Sequence, residues 1–248
     1  NSLNDKSVIG LCADKNDNVW LANGSGGIAL YKNSDKIRQI DNINNASGSR
    51  SYISIFKTHN DNIWIATDKC DIFIFDSNLN QFTTFTGFNL HNYPIYSFFE
   101  DSKNNIWFAT DIGLHKFDPK SGDCRVFNTV NSDLPDNLIR TIAEDGNGNI
   151  WVGTLTGGLF ILDQNFRLVR NYGQTYDFYA VNYIYRDSKN RMWIGSQNDL
   201  FVIKPQNTDS VMRIGKISGL SETNIRAIIE GRSENEIWLS TTNGISHI

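Results

Sequence analysis

Six tryptophans, Trp20, Trp64, Trp107, Trp151, Trp193 and Trp238, follow one another at intervals of 44, 43, 44, 42 and 45 residues. Spacing this even marks an internal repeat, and a repeat limits the fold before any single motif does. The match extends outward from each ring. The preceding residue is apolar: Val19, Ile63, Ile106, Ile150, Met192 and Ile237. So is the following one: Leu21, Ile65, Phe108, Val152, Ile194 and Leu239. Two places after Trp the residue is small: Ala22, Ala66, Ala109, Gly153, Gly195 and Ser240. Six places before it stands an Asp in four copies: Asp14, Asp101, Asp145 and Asp187. Thr58 takes that place in the second copy, and Gly231, displaced by one inserted residue, in the sixth.

The elements of the repeat are strands. They are short, rich in Ile, Val, Phe and Tyr, and bounded by Asn, Asp, Gly and Ser. No segment keeps a 3.6-residue period long enough to be a helix. Four short antiparallel strands recurring about every 43 residues predict an all-β fold, a β-propeller of four-stranded blades. The copies run over about 7–43, 51–86, 94–129, 138–173, 180–217 and 224–248, one propeller domain or fragment spanning 1–248. The sixth copy reaches only its third strand, which predicts six blades or most of a seven-bladed propeller; Asn1–Lys6 is the candidate for completing the last sheet.

The stretch "EDGNGNIWVGTLTGGL" at 144–159 shows how one copy works. Asp145–Asn149 is the turn between the first two strands. Its Asp accepts backbone N–H groups, and Gly and Asn there tolerate positive φ. Trp151 and Gly153 share one face of the second strand, because side chains alternate. A large ring beside a small residue lets one blade knob into the next. Burying each Trp is expected to contribute on the order of 3 kcal/mol. Features that recur in every copy are therefore read as scaffold.

Composition removes several function classes. The chain has 23 basic and 27 acidic residues, a net charge of −4, and no basic run, so no direct nucleic-acid contact is expected. No apolar stretch approaches the roughly 20 residues of a membrane-spanning helix. No signal-peptide pattern opens these residues, so a cytosolic protein, a mature secreted one or a piece of a larger one is expected. The cysteines, Cys12, Cys70 and Cys124, are too far apart for a zinc site and are expected to be buried, small apolar residues.

The units "D-x-x-x-N-I-W-[FVI]-[AG]-T…G-G-L", best kept in "NLIRTIAEDGNGNIWVGTLTGGLFIL", resemble the two-component regulator propeller repeat. That repeat builds the periplasmic sensor region of hybrid histidine kinase/response regulators of Bacteroidetes, where two seven-bladed propellers and a β-sandwich precede a membrane helix and kinase. The resemblance implies a periplasmic sensing domain for an oligosaccharide cut from a glycan. It also implies a homodimer in the full-length protein, membrane attachment only through a segment outside this chain, control of transcription by the downstream parts, no cofactor and no enzyme activity here.

In a propeller, the loops leading into each first strand gather at one end, and here they differ between copies. The candidate ligand-binding residues in or beside them are Arg50, Tyr52, Tyr93, Asn137, Arg140, Tyr179, Asn182, Asn224 and Arg226. Tyrosines, with Tyr96, Tyr176, Phe178 and Tyr183 nearby, offer flat faces to a sugar ring. Arg supplies forked donors that also suit uronate or sulfate groups. Asn matches paired hydroxyls. Arg140, Asn182 and Arg226 share one place, directly after the first apolar residue of the inner strand, and are expected to face one channel mouth.

Two other readings stay open. A glycosidase or lyase would need a carboxylate pair, for which Asp133, Asp136, Asp177 and Glu222 are the candidates in the variable loops. A propeller can also serve only as a protein-interaction or dimerisation platform. No Ser-His-Asp or Cys-His set can be assembled around His59, His91, His115 or His247.

Overall fold

The computed structural model of the chain describes residues 8–23, 27–33, 35–40, 52–78, 80–87, 93–173, 176, 178, 180–215, 220, 224–233 and 235–248. Among them there is no helix long and apolar enough to cross a membrane. Every regular element is a strand. The first sheet is β1 (Val8–Ala13), β2 (Val19–Asn23), β3 (Ile28–Lys32) and β4 (Asp35–Ile40). The second is β5 (Tyr52–Lys57), β6 (Ile63–Thr67), β7 (Ile72–Asp76) and β8 (Gln81–Thr84). The third is β9 (Ser97–Glu100), β10 (Ile106–Thr110), β11 (Gly113–Phe117) and β12 (Cys124–Phe127). The fourth is β13 (Ile139–Glu144), β14 (Ile150–Thr154), β15 (Leu159–Leu162) and β16 (Leu168–Asn171). The fifth is β17 (Val181–Arg186), β18 (Met192–Ser196), β19 (Leu200–Lys204) and β20 (Asn207–Ile214). The sixth has three strands, β21 (Ile225–Glu230), β22 (Ile237–Thr241) and β23 (Gly244–His247). These are six blades of an all-β propeller, as the repeat predicts. Asn1–Lys6 lies outside the described residues.

By its contacts the chain forms two compact units, Asn1–Phe108 with Lys116–Arg125, and Ala109–His115 with Val126–Ile248. Blades one and two belong to the first unit and blades four to six to the second.

Within each unit, successive blades interlock through the repeat's two faces. In the first unit Trp20, Ala22 and Ile28 pack against Ile63, Ile65 and Phe73 of the next blade, and Trp64, Ala66 and Ile72 against Ile95, Ile106 and Phe108. In the second, Trp151 and Leu159 pack against Val181, Met192 and Ile194, and Trp193 and Leu200 against Ile225, Ile237 and Leu239. The small residue beside the ring receives the neighbour. A Cβ on Gly153 would lie 2.5 Å from Val181 Cγ1, and one on Gly195 would lie 2.6 Å from Ile225 Cγ2.

The hairpin turns repeat as well. The residue three before each Trp has a left-handed backbone in all six blades: Asp17, Asp61, Asn104, Gly148, Asn190 and Asn235, with φ between 58° and 81°. Gly, Asn and Asp are the types that tolerate this region. Four Asp side chains accept backbone N–H groups of their turns, as expected, and also accept the indole N–H of their own Trp. Asp14, Asp101, Asp145 and Asp187 receive it at 3.0, 2.9, 2.9 and 2.8 Å.

Two expectations are corrected. Trp20, Trp64, Trp107, Trp151 and Trp193 are at most 5% exposed, but Trp238 is 41% exposed. With Gly231 in the Asp position, its indole N–H turns to Glu236 at 3.2 Å. The cysteines form no disulfide and are half-buried rather than buried, with Cys12 and Cys70 packed against core clusters. Asn207 opens the last strand of blade five, pairing directly with Lys204 across a two-residue turn.

Candidate functional site

The first strands of the blades share a local irregularity that positions the candidate residues. In β1, β5, β13, β17 and β21 the register slips across the second residue: Ile139 pairs with Thr154 and Thr141 with Gly153, leaving Arg140 out of the ladder. The same slip isolates Ile9, Ile53, Asn182 and Arg226. A bulge of this kind re-aims one side chain while the rest of the strand stays paired. The repeat thus presents one unladdered residue in each of these five first strands. In the second unit those residues are Arg140, Asn182 and Arg226, on strands that lie side by side. Arg140 is half-buried and Arg226 exposed.

Asn182 reaches across to the next blade. Its amide donates to Asn224 Oδ1 at 3.2 Å and to the Ile225 carbonyl at 3.0 Å. A second bond between adjacent first strands runs from Ile184 N–H to Thr141 Oγ1 at 3.2 Å. The fold brings Asn182 and Asn224 side by side and joins them to each other.

The loop before β13 is held from within. Asn137 accepts the Thr129 N–H at 2.9 Å and donates to the Thr129 hydroxyl at 3.2 Å. Asp136 accepts from Thr156 Oγ1 and Gly157 N at 2.9 Å each and from Leu138 N at 3.1 Å. Burial pushes the Asp136 carboxyl up, but hydrogen bonds from Leu138, Thr156, Thr154 and Gly157 outweigh it and hold the group below the usual carboxylate range. Asp133 accepts the Leu168 N–H at 3.3 Å. Of the four carboxylates considered for catalysis, these two serve as loop fasteners; Asp177 and Glu222 lie outside the described residues.

The aromatic residues divide. Phe178 is 4% exposed and packs on Phe201 at 4.4 Å between ring centres, so it belongs to the core and is no sugar platform. Tyr176 packs against the same cluster, and Tyr183 against the seam between blades five and six. In the first unit Tyr93 is 39% exposed. Tyr52 opens β5 opposite Thr67. Arg50 and Tyr179 lie outside the described residues. Sequence reasoning missed the bulge, which has no residue signature, and the clamp from Asp136 to the following hairpin.

Comparison with known proteins places these features in context. The profile of the family described as "Two component regulator propeller" matches residues 89–111, 133–156 and 176–198. Histidine kinase P4 of Formosa agariphila is 31% identical over 77 residues, covering 29% of this chain and 6% of that protein. The extracellular domain of a protein described as a hybrid two component system, from B. thetaiotaomicron, superposes with a TM-score of 0.88 at 29% identity, covering 99% of this chain and 33% of that one. Virginiamycin B lyase from Staphylococcus aureus shares the fold alone, with a TM-score of 0.76 at 14% identity over 100% of this chain and 86% of the lyase. The chain thus spans a third or less of the sensor and kinase relatives named.

Proposed function

We propose that this chain, built of two-component regulator propeller repeats, is the periplasmic ligand-sensing part of a hybrid two-component sensor and binds an oligosaccharide derived from a glycan. The observation that carries the reading is the row of bulged residues Arg140, Asn182 and Arg226 on neighbouring first strands. A rigid scaffold holds them, while the loops in front of them vary. Two guanidinium groups flanking an amide suit hydroxyl pairs and the carboxylate or sulfate groups of an acidic sugar. Binding biases how two chains pair, and a membrane helix and kinase outside these residues read that pairing.

A thermal-shift screen against neutral and acidic oligosaccharides tests this. A ligand of the native state raises the melting temperature as ln(1 + [L]/Kd). An upward shift with the sugar recovered intact supports sensing. Recovery of cleaved sugar would make the propeller an enzyme, and dimerisation without any shift would make it an interaction platform.

A further inference from the structure

The second blade departs from the others at one position, and a cavity opens there. In four hairpins an Asp six residues before the Trp accepts the indole N–H. In the second that residue is Thr58. Its hydroxyl is engaged within the turn, 2.5 Å from Asn60 Oδ1 and 3.1 Å from the Asn62 N–H. Trp64 is 5% exposed, yet its N–H meets no acceptor among the described residues. The indole nitrogen is not fully enclosed, so its N–H is open to water or to a ligand.

Trp64 instead lines a cavity of about 430 Å³, with Asn60, Asn62, Glu100, Asn104 and Pro119 among the other walls. The size lies within the roughly 300–1,000 Å³ of small-molecule pockets. All of these residues belong to the first unit. The Glu100 side chain is 7% exposed and accepts the His59 backbone N–H at 2.6 Å, with the imidazole Nδ1 at 3.1 Å. No Lys or Arg lines the space. A carboxylate, sulfate or phosphate would therefore meet the Glu100 carboxylate, and the basic group of the lining, the His59 imidazole, is already engaged by Glu100. Amide groups, a carboxylate acceptor and an indole donor beside apolar Ile106 and Pro119 fit a compact neutral molecule bearing several hydroxyls.

We infer that this cavity is a binding site for a single neutral, polyhydroxylated ring, such as a monosaccharide or cyclitol, one of whose oxygens accepts the Trp64 N–H. The site stands independently of the reading above: Thr58 closes a hairpin at the far end of β5 from Tyr52, and Arg140, Asn182 and Arg226 belong to the other unit.

The test is the ¹⁵N spectrum of the six indole groups, recorded on the full chain with D-glucose, D-galactose, myo-inositol or acetate. Trp64→Phe identifies the resonance. The expected result is a saturable shift of the Trp64 indole signal with at least one of the neutral compounds and none with acetate. Thr58→Asp restores the acceptor found in four other hairpins, so it should raise the melting temperature and abolish the shift while the other indole signals stay in place. Asn60→Leu, at an exposed position, should weaken binding about tenfold through loss of one hydrogen-bonding wall. The inference is overturned if none of the neutral compounds moves the Trp64 signal, if acetate does, or if the shift survives both Thr58→Asp and Asn60→Leu. Arg140→Ala should leave this response unchanged, which separates it from the oligosaccharide site.

Discussion

Asn182, the bulged residue of β17, donates its amide to Asn224 Oδ1 at 3.2 Å and to the carbonyl of Ile225 at 3.0 Å. The side chain that the repeat re-aims in blade five thus fastens the start of blade six. Asn182 is a positioning residue for Arg226, two places after Asn224. Asn182→Ala should lower stability by about 1–3 kcal/mol through the unmet carbonyl and lost bonds. It should also weaken any ligand that Arg226 holds. Asn182→Asp, which sets a carboxylate against two acceptors, should be worse than Ala. Urea unfolding of the three proteins measures the order, and equal midpoints would show that the bridge carries no weight.

The Asp–Trp bond of the hairpins makes a second prediction. Asp145 is 2% exposed and accepts from Trp151 Nε1, Asn149 Nδ2, and the Asn147 and Asn149 N–H groups. Asp145→Ala removes all four acceptor contacts and leaves the indole N–H buried. A loss of about 2–3 kcal/mol is expected, the upper part of the range for hydrogen bonds to a charged group. Denaturant titration followed by tryptophan fluorescence reads it.

Blade spacing can be probed at Gly195. A methyl group there would sit 2.6 Å from Ile225 Cγ2 and 2.8 Å from Ile225 Cβ. Gly195→Ala should destabilise by about 1–3 kcal/mol from overpacking. Ile225→Val removes the Cδ1 methyl but keeps both clashing atoms, so it should not rescue; Ile225→Ala, which removes Cγ2, should recover part of the loss. Thermal melts of the single and double variants decide this.

Acid should loosen the hairpins. Burial pushes the Asp187 carboxyl up, but hydrogen bonds from Trp193 and from Arg191 outweigh it and leave the pKa below 3.8. Hydrogen bonds from Asn18, Trp20 and Asn16 do the same for Asp14 against its burial. A carboxyl depressed in the folded state stabilises above its unfolded pKa and loses that contribution as pH falls through the folded value. Stability should therefore fall on acidification below about pH 4. Asp187→Asn should flatten that decline, as seen in melting temperatures across the acid range; an unchanged slope would remove Asp187 from its causes.

Much of this architecture can be read from residue spacing. The Trp interval gives the blades, the small residue two places on gives the interlock, and Asp, Asn and Gly give turns with left-handed residues at Asp17, Asp61, Asn104, Gly148, Asn190 and Asn235. These are local rules, repeated until chance is excluded. The site is less legible because its geometry depends on contacts between blades. Nothing in "VNYIY" shows that Asn182 turns to Ile225, or in "YDFYA" that Phe178 packs on Phe201 in the core. Trp238 is flanked by apolar Ile237 and Leu239 like its counterparts, yet it is exposed.

The most direct test of the recognition role is calorimetric titration of the oligosaccharide that shifts the melt most, against wild type, Arg140→Ala and Arg226→Ala. Each guanidinium is expected to contribute about 1.5–3 kcal/mol, so Kd should rise roughly 10- to 150-fold in either variant while the fold is kept. Binding of unchanged strength in both would contradict the assignment of the bulged residues to ligand recognition.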